Sequence, residues 1–245
     1  MAEKMYFIIN FDKNIIEEKI IEYTYKAGFA IKNKQENIKN IHKEILKKEK
    51  ENKILEISSK SLDKIGVDLS AFNLSIETKK HKKLSVETIF QASKVFENGK
   101  QYKDLLNKSS KEAKKDERLR NSGKIIGFCY NKQKWKTEPK TLFYDWLYIN
   151  SLFYNIKNSN ISKEDILKYR IFTDVEFNHK KSINCQARAI ALYILMKKNN
   201  VLEECLNDKE IFEKYLKKFY NLTAEDNIKN KKENNLDNAK DLKLF

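Results

Sequence analysis

The sequence predicts a mainly α-helical fold of the α+β kind, a single domain with a few short strands. Three observations predict it. Apolar residues recur at helical spacing in the longest patterned stretches, above all at Leu142, Trp146, Ile149 and Phe153. Extended-looking pieces rich in Ile, Tyr and Phe, such as "MYFIINF" and "IIEEKIIEYTY", are short. Punctuation is sparse: 245 residues hold 5 glycines and 1 proline, so no linker divides the chain.

The N-terminal region, up to Gly28, carries the two short strands. Ile38, Ile41, Ile45 and Leu46 predict a helix over 33–50, and "KILEIS" reads as a further strand. The Lys/His cluster at 79–83 reads as an exposed turn between two extended pieces. A helix starts after Ser85, a good N-cap, and stops near Asn98 and Gly99. Residues 102–120 read as a polar helix, and "GKIIGFCYNKQKWK" as strand, turn and strand.

Thr137 caps the clearest helix, with Pro139 in its first turn. "SKED" at 162–165 is a capping box. Another helix begins near Ser182 and runs through "CQARAIALYILMKK", and a last one covers 203 to about 220. Residues 221–245 are rich in Asn, Lys, Asp and Glu without periodicity, which predicts a mobile tail. The domain is therefore expected over 1–220, with a strand and helix extension over about 1–65.

The formal net charge of +15 points to a polyanionic partner such as nucleic acid or a membrane surface. That reading is discounted here. The only arginines are Arg118, Arg120, Arg170 and Arg188, and the abundance of Lys, Ile and Asn fits a genome rich in A-containing codons. Cys129, Cys185 and Cys205 lie far apart, so neither a disulfide framework nor a zinc knuckle is indicated. His42, His81 and His179 are isolated, which argues against a histidine metal site. There is no P-loop, dinucleotide fingerprint or nucleophile elbow, and no metal or cofactor is expected. The N-terminus lacks the apolar run of a signal peptide, and the longest apolar stretch, Ala189 to Met196, is far shorter than a membrane span. A cytoplasmic protein with no membrane partner is expected.

"LSVETIFQASKVFENGK", residues 84–100, places Glu87, Gln91 and Lys94 on one helical stripe. Val86, Ile89, Phe90 and Phe96 lie on the other side. By spacing alone the stripe is most simply a solvated face. A partly buried Lys beside a Glu is also what an acid/base–nucleophile pair requires. In "FTDVEF", Asp174 and Glu176 point the same way if extended, as a surface ion pair or a second catalytic carboxylate. In "KSINCQARA", Asn184 and Arg188 fall four apart at a helix start, fit either for a salt bridge or for a pyrophosphate. Trp146 falls on an apolar stripe and reads as core, whereas Trp135 is freer to stack on a base or sugar.

Taken in order, "SAFNL", "FQASKVFENG", "EPKTLFYDWLYIN" and "KKSINCQARA" resemble the NADAR superfamily, the YbiA-like proteins. The resemblance runs from about residue 20 to about 205. It is closest to the NADAR antitoxins that accompany DarT-type DNA ADP-ribosyltransferase toxins. Thr88 stands where the superfamily often has His, and Val-Glu-Phe follows Asp174 where Trp-Gly is usual.

The resemblance implies a single-domain NADAR-like helical fold and an N-glycosyl hydrolase. Such an enzyme removes ADP-ribose from guanine in DNA and so counters a DarT-type toxin. It implies Glu87, Lys94 and Asp174 as catalytic residues: Lys94 as Schiff-base nucleophile, Glu87 as proton carrier, and Asp174 stabilising a developing cation or positioning water. It implies Ser70, Phe72, Gln91, Trp135, Trp146, Asn184 and Arg188 as substrate-binding residues. Arg188 and the helix near Asn184 would hold the pyrophosphate, while Phe72 and Trp135 would stack on sugar or base. ADP-ribosylated DNA, ADP-ribose and a DarT-type toxin are the implied partners. Two other functions compete: an N-glycosidase acting on a small phosphoribosyl amine or ADP-ribose metabolite, and a DNA- or toxin-binding protein without catalysis.

Overall fold

A computed structural model describes residues 1–50, 53–78 and 82–223. The first strand begins three residues before the stretch read from the sequence, and the second ends two residues inside it. β1 (Ala2–Asn10) and β2 (Ile15–Tyr23) form an antiparallel hairpin in continuous register from Ala2↔Tyr23 to Asn10↔Ile15. β1 also pairs with β9 (Ile171–Thr173), which runs parallel to β3 (Ile54–Glu56). The result is a four-stranded sheet in the order β2-β1-β9-β3. Residues 1–56 thus supply three strands of a sheet whose fourth comes from the far end of the chain.

Side chains alternate across a strand, so each strand of this sheet serves two cores. Tyr6, Ile54 and Ile171 face α1 (Ile31–Lys48), whose Ile38, Ile41 and Ile45 are fully buried against them. Phe7, Leu55 and Phe172 face the larger core on the opposite side. There lies α8 (Gln186–Lys198), buried without a break from Gln186 to Met196. A helix apolar on all sides must be surrounded by protein, and α8 packs against β1, β9 and α6 (Leu142–Lys157).

Two smaller sheets complete the frame. β4 (Ser75–Glu77) pairs with β5 (Lys83–Ser85), while β6 (Lys94–Phe96), β7 (Ile125–Tyr130) and β8 (Gln133–Trp135) form the third sheet. The remaining helices are α2 (Lys64–Asp68), α3 (Val86–Ser93), α4 (Ser110–Lys115), α5 (Arg118–Asn121), α7 (Lys163–Leu167), α9 (Leu202–Asn207) and α10, residues 209–223.

The expectation of a mainly α fold is therefore corrected. Of the described residues, 46% are helix and 19% strand, in three sheets, a mixed α/β fold. The cause is long-range pairing, which local periodicity does not report. The polar helix expected over 102–120 breaks into a 3-10 turn (Lys103–Asn107), α4 and α5. Thr137 and Pro139 lie ahead of α6, which starts at Leu142. The capping box falls at Ser109 and Glu112; Ser162 caps α7 by accepting from the Asp165 N–H, without the reciprocal bond of a box. Residues 79–81 of the expected turn, and residues 224–245 of the expected tail, lie outside the described residues. Residues 221–223 end α10, where the Thr223 hydroxyl donates to the Phe219 carbonyl. Among the described residues, no helix is long and apolar enough to cross a membrane.

Candidate active site

Ser85 starts α3 by accepting a hydrogen bond from the Thr88 N–H at 3.1 Å. Its hydroxyl also lies 2.7 Å from the hydroxyls of both Thr88 and Ser110. All eight residues of α3 are buried, so the stripe is no solvated face. Glu87 sits in the first turn, where the positive end of the helix dipole favours a carboxylate. One of its oxygens accepts from Gln91 Nε2 at 2.7 Å, and the other lies 3.6 Å from Lys114 Nζ. Lys114 in turn stands 5.0 Å from the Phe72 ring centre.

The helix ends five residues earlier than the sequence predicts. At Lys94 the backbone becomes extended and enters β6, because Lys94 pairs with Phe128 of β7. Lys94 is thus a C-cap rather than a helical residue. Its ammonium still returns over Phe90, 5.2 Å from the ring centre. Burial pulls the Lys94 pKa down, and the Lys114 charge pulls the same way; Glu87 opposes them. A lysine biased toward the free amine beside a buried carboxylate is equipped for nucleophilic and proton-transfer chemistry.

Asp174 follows β9. It does not share a face with Glu176, because residues 174–177 turn: Asp174 Oδ1 accepts from the N–H groups of Glu176 and Phe177, at 2.9 and 3.2 Å. Asp174 is buried, whereas Glu176 is exposed and pairs with Lys34 at 3.5 Å. Burial, then the nearby Glu56 charge, pushes the Asp174 carboxyl up to about 7, against the pull of Lys4 and the hydrogen bonds from Glu176 and Gln186. The turn itself is clamped. Lys4 Nζ donates to the carbonyls of Val175 and Phe177, and buried Glu56 accepts from the Val175 N–H at 2.8 Å and the Thr173 hydroxyl at 2.6 Å.

Two residues that sequence reasoning missed connect these halves. Tyr144 is buried edge-on to Phe90, and after burial it is Glu87, more than Asp174, whose charge raises its phenol pKa. Gln186 donates to Asp174 and accepts from the Ala71 N–H at 2.7 Å, so it also anchors the Ser70–Phe72 loop. The available signals were Tyr144 and Tyr148 four apart on one helix, and a Gln between the two residues singled out in "NCQAR".

Other expected residues are placed as follows. Ser70 Oγ, Gln91 Oε1 and Asn184 Oδ1 are buried without a hydrogen-bond partner among the described residues. Buried polar atoms in that condition are sites that a ligand or water can satisfy. Asn184 precedes α8, which begins at Gln186 rather than near Ser182, so Asn184 and Arg188 do not share a helical face. Arg188 is buried beside Asp145 at 3.1 Å and Glu18 at 3.3 Å, the salt-bridge alternative, and it lines a separate cavity of about 250 Å³. The two tryptophans exchange roles. Trp135 in β8 is buried, 4.7 Å from Trp146 between ring centres, while Trp146 is only half-buried. An aromatic wall runs from Phe90, beneath Lys94, through Phe128 and Phe143 to Trp146.

No curated protein matches the chain. The family of DarT1-associated NADAR antitoxins matches it over residues 2–226, which takes in every residue described above. The chain belongs to the DarT1-associated NADAR antitoxin family.

Proposed function

We infer that this antitoxin is a hydrolase, cleaving the N-glycosidic bond between ADP-ribose and a guanine amino group in DNA and so reversing the toxin's modification. The observation that carries this reading is the desolvated Lys94 amine beside buried Glu87. The scissile carbon bears a ring oxygen and an exocyclic nitrogen. Ring opening breaks its bond to the ring oxygen, which takes a proton, while the nitrogen lone pair forms an iminium. The neutral Lys94 amine adds to that carbon. A proton delivered to the guanine nitrogen lets the base depart as an intact amine, leaving a Lys94 Schiff base. Water then adds, Lys94 leaves, and ADP-ribose recloses.

Glu87 moves protons between Lys94, the leaving nitrogen and the ring oxygen. Asp174, titrating near neutral pH, stabilises the developing cation or positions water. Ser70, Gln91 and Asn184 offer hydrogen bonds, and Phe72 and Trp146 offer ring faces, to the substrate. Arg188 offers one free N–H edge rather than a bare charge for the pyrophosphate, and Trp135 supports Trp146 from within.

The test is incubation with a guanine-ADP-ribosylated single-stranded oligonucleotide. Wild type is expected to release ADP-ribose and restore the base, and Glu87→Gln and Lys94→Met to leave the adduct in place. Borohydride added during turnover is expected to fix ADP-ribose to Lys94. An adduct untouched by wild type rejects the hydrolase reading; turnover without trapping rejects the Schiff base.

A further inference from the structure

At the β2–α1 corner, the protein shows a feature that folding alone does not require. Phe29 is 98% exposed, Ile31 58% and Tyr25 51%. An isolated exposed apolar residue is ordinary, but grouped large apolar side chains mark an interaction site. The segment that carries them is fixed. Asn37 accepts from the Lys26 N–H and donates to the Lys26 carbonyl, at 2.7 and 2.9 Å. Asn33 donates to the Ala27 carbonyl and Asn40 to the Thr24 carbonyl. Gly28 holds φ +112 with Asn33 so close that a Cβ would lie 2.4 Å from its amide nitrogen. Buried Tyr23 braces Tyr25 edge-on at 6.3 Å. Three asparagines of α1 therefore present Phe29 and Tyr25 to solvent on a rigid backbone.

The chemistry between the rings is cationic. Lys26 and Lys32 are exposed and make no ion pair among the described residues, and both line a cavity of about 260 Å³ beside Tyr25, whose one acid is Glu36. Rings alternating with unpaired cations match the alternation of bases and phosphates in an unpaired nucleic-acid strand. A protein partner would instead favour a continuous apolar patch. A duplex hides the base faces that rings need. The corner also adjoins the candidate site, since Lys34, two residues after Lys32, pairs with Glu176 in the Asp174 turn.

We propose that the β2–α1 corner binds the single-stranded DNA flanking the modified base, with Phe29 and Tyr25 stacking on bases and Lys26 and Lys32 holding phosphates. The proposal rests on the DNA-directed reading of the site, but its test does not require turnover. Binding of an unmodified, fluorescein-labelled single-stranded oligonucleotide is followed by anisotropy over a salt series. Phe29→Ala and Tyr25→Ala are each expected to weaken binding about 5- to 100-fold. Lys26→Gln and Lys32→Gln are each expected to lower the salt slope by roughly 0.7. Lys157→Gln, on the exposed end of α6, is the control and changes binding little.

Hydrolysis of a free ADP-ribosylated guanosine by Phe29→Ala is expected to equal wild type. Binding unaffected by Phe29→Ala and Tyr25→Ala, or equally sensitive to them on a duplex, overturns the stacking corner. Corner-dependent oligonucleotide binding by a wild type that hydrolyses neither substrate leaves the corner standing and removes the hydrolase reading instead.

Discussion

The two halves of the candidate site are built in opposite ways. Glu87, Gln91 and Lys94 lie within eight residues of chain; one short helix spaces the first two, and Lys94 follows as its C-cap. Asp174 lies in a turn held from three distant places: Lys4 in β1, Glu56 at the end of β3 and Gln186 at the start of α8. The first half needs the helix, its burial, and the β6–β7 pairing that ends the helix at Lys94. The second exists only once the four-stranded sheet has closed, because β1 and β3 reach Asp174 through their pairing with β9. The proposed lysine chemistry is thus encoded within one short stretch of chain, whereas the tuning of the second carboxylate is distributed over the fold.

The largest expected effect lies in the local half. Lys94→Met removes the buried amine proposed to form the covalent intermediate, and Glu87→Gln removes the proposed proton carrier. General acid–base groups contribute about 10²–10⁴-fold. Single-turnover assays are expected to show at least that loss for Glu87→Gln and no detectable trapping for Lys94→Met, with thermal unfolding little changed. Trapping that survived Lys94→Met would mean that another amine forms the adduct, Lys114 being the one that stands 3.6 Å from Glu87.

Next comes a residue that belongs to neither half. Arg188 lies between Asp145 and Glu18, tying α8 to α6 and β2. Arg188→Met leaves the Asp145 carboxylate buried without its cation, which costs about 3–5 kcal/mol. Urea unfolding is expected to register that loss, while the folded fraction keeps its borohydride adduct. Full stability combined with a large rise in KM would instead make Arg188 a binding residue first.

The distributed half should show itself in pH dependence. Asp174 carries a folded-state pKa of about 7 against an ordinary 3.8, so between those values the folded protein holds a proton that the unfolded chain has released. Its contribution to stability is complete below about pH 4 and is lost as pH rises through 7. Asp174→Asn cannot ionise and keeps an oxygen for the Glu176 N–H. The variant is expected to match wild type near pH 4 and to exceed it at pH 8 by on the order of 2–4 kcal/mol, while losing activity. Equal stability at both values would mean that Lys4 fully compensates the buried charge.

Legibility in the sequence follows the same division. Ser85, Glu87 and Gln91 were readable because a capped helix imposes their spacing, and the hairpin of β7 and β8 was readable because its strands adjoin. The stop at Ser93 was not, since pairing of Lys94 with Phe128 ends α3 before Gly99 is reached. Trp135 and Trp146 exchanged roles for a similar reason: β8 turns Trp135 inward through its pairing with Phe128. Yet the clamp around Asp174 did leave traces. Glu56 stands between Leu55 and Ile57 in a short apolar run, and buried Lys4 directly precedes the apolar run Met5–Ile9. A charge in such a run has a partner elsewhere in the chain, though the sequence does not say where.

The smallest expected effect tests how local the local half is. Ser85 caps α3 through the Thr88 N–H and also meets the hydroxyls of Thr88 and Ser110. Ser85→Ala removes the cap at a cost of about 1 kcal/mol, a fall of roughly 2–4 °C in Tm for a chain of this size. Ser85→Gly is expected to cost only a few tenths of a kcal/mol through the cap. Glu87 has a second restraint, because its own N–H donates to the Ala71 carbonyl at 2.8 Å. The Ser70–Phe72 loop that supplies that carbonyl is held in turn by Gln186. Activity of Ser85→Ala should therefore fall only a few-fold. A loss as deep as that of Glu87→Gln would mean that the cap alone aims the carboxylate. Near-wild-type activity at reduced Tm would mean that the distant helix α8, through Gln186 and Ala71, holds even the half of the site that looks local.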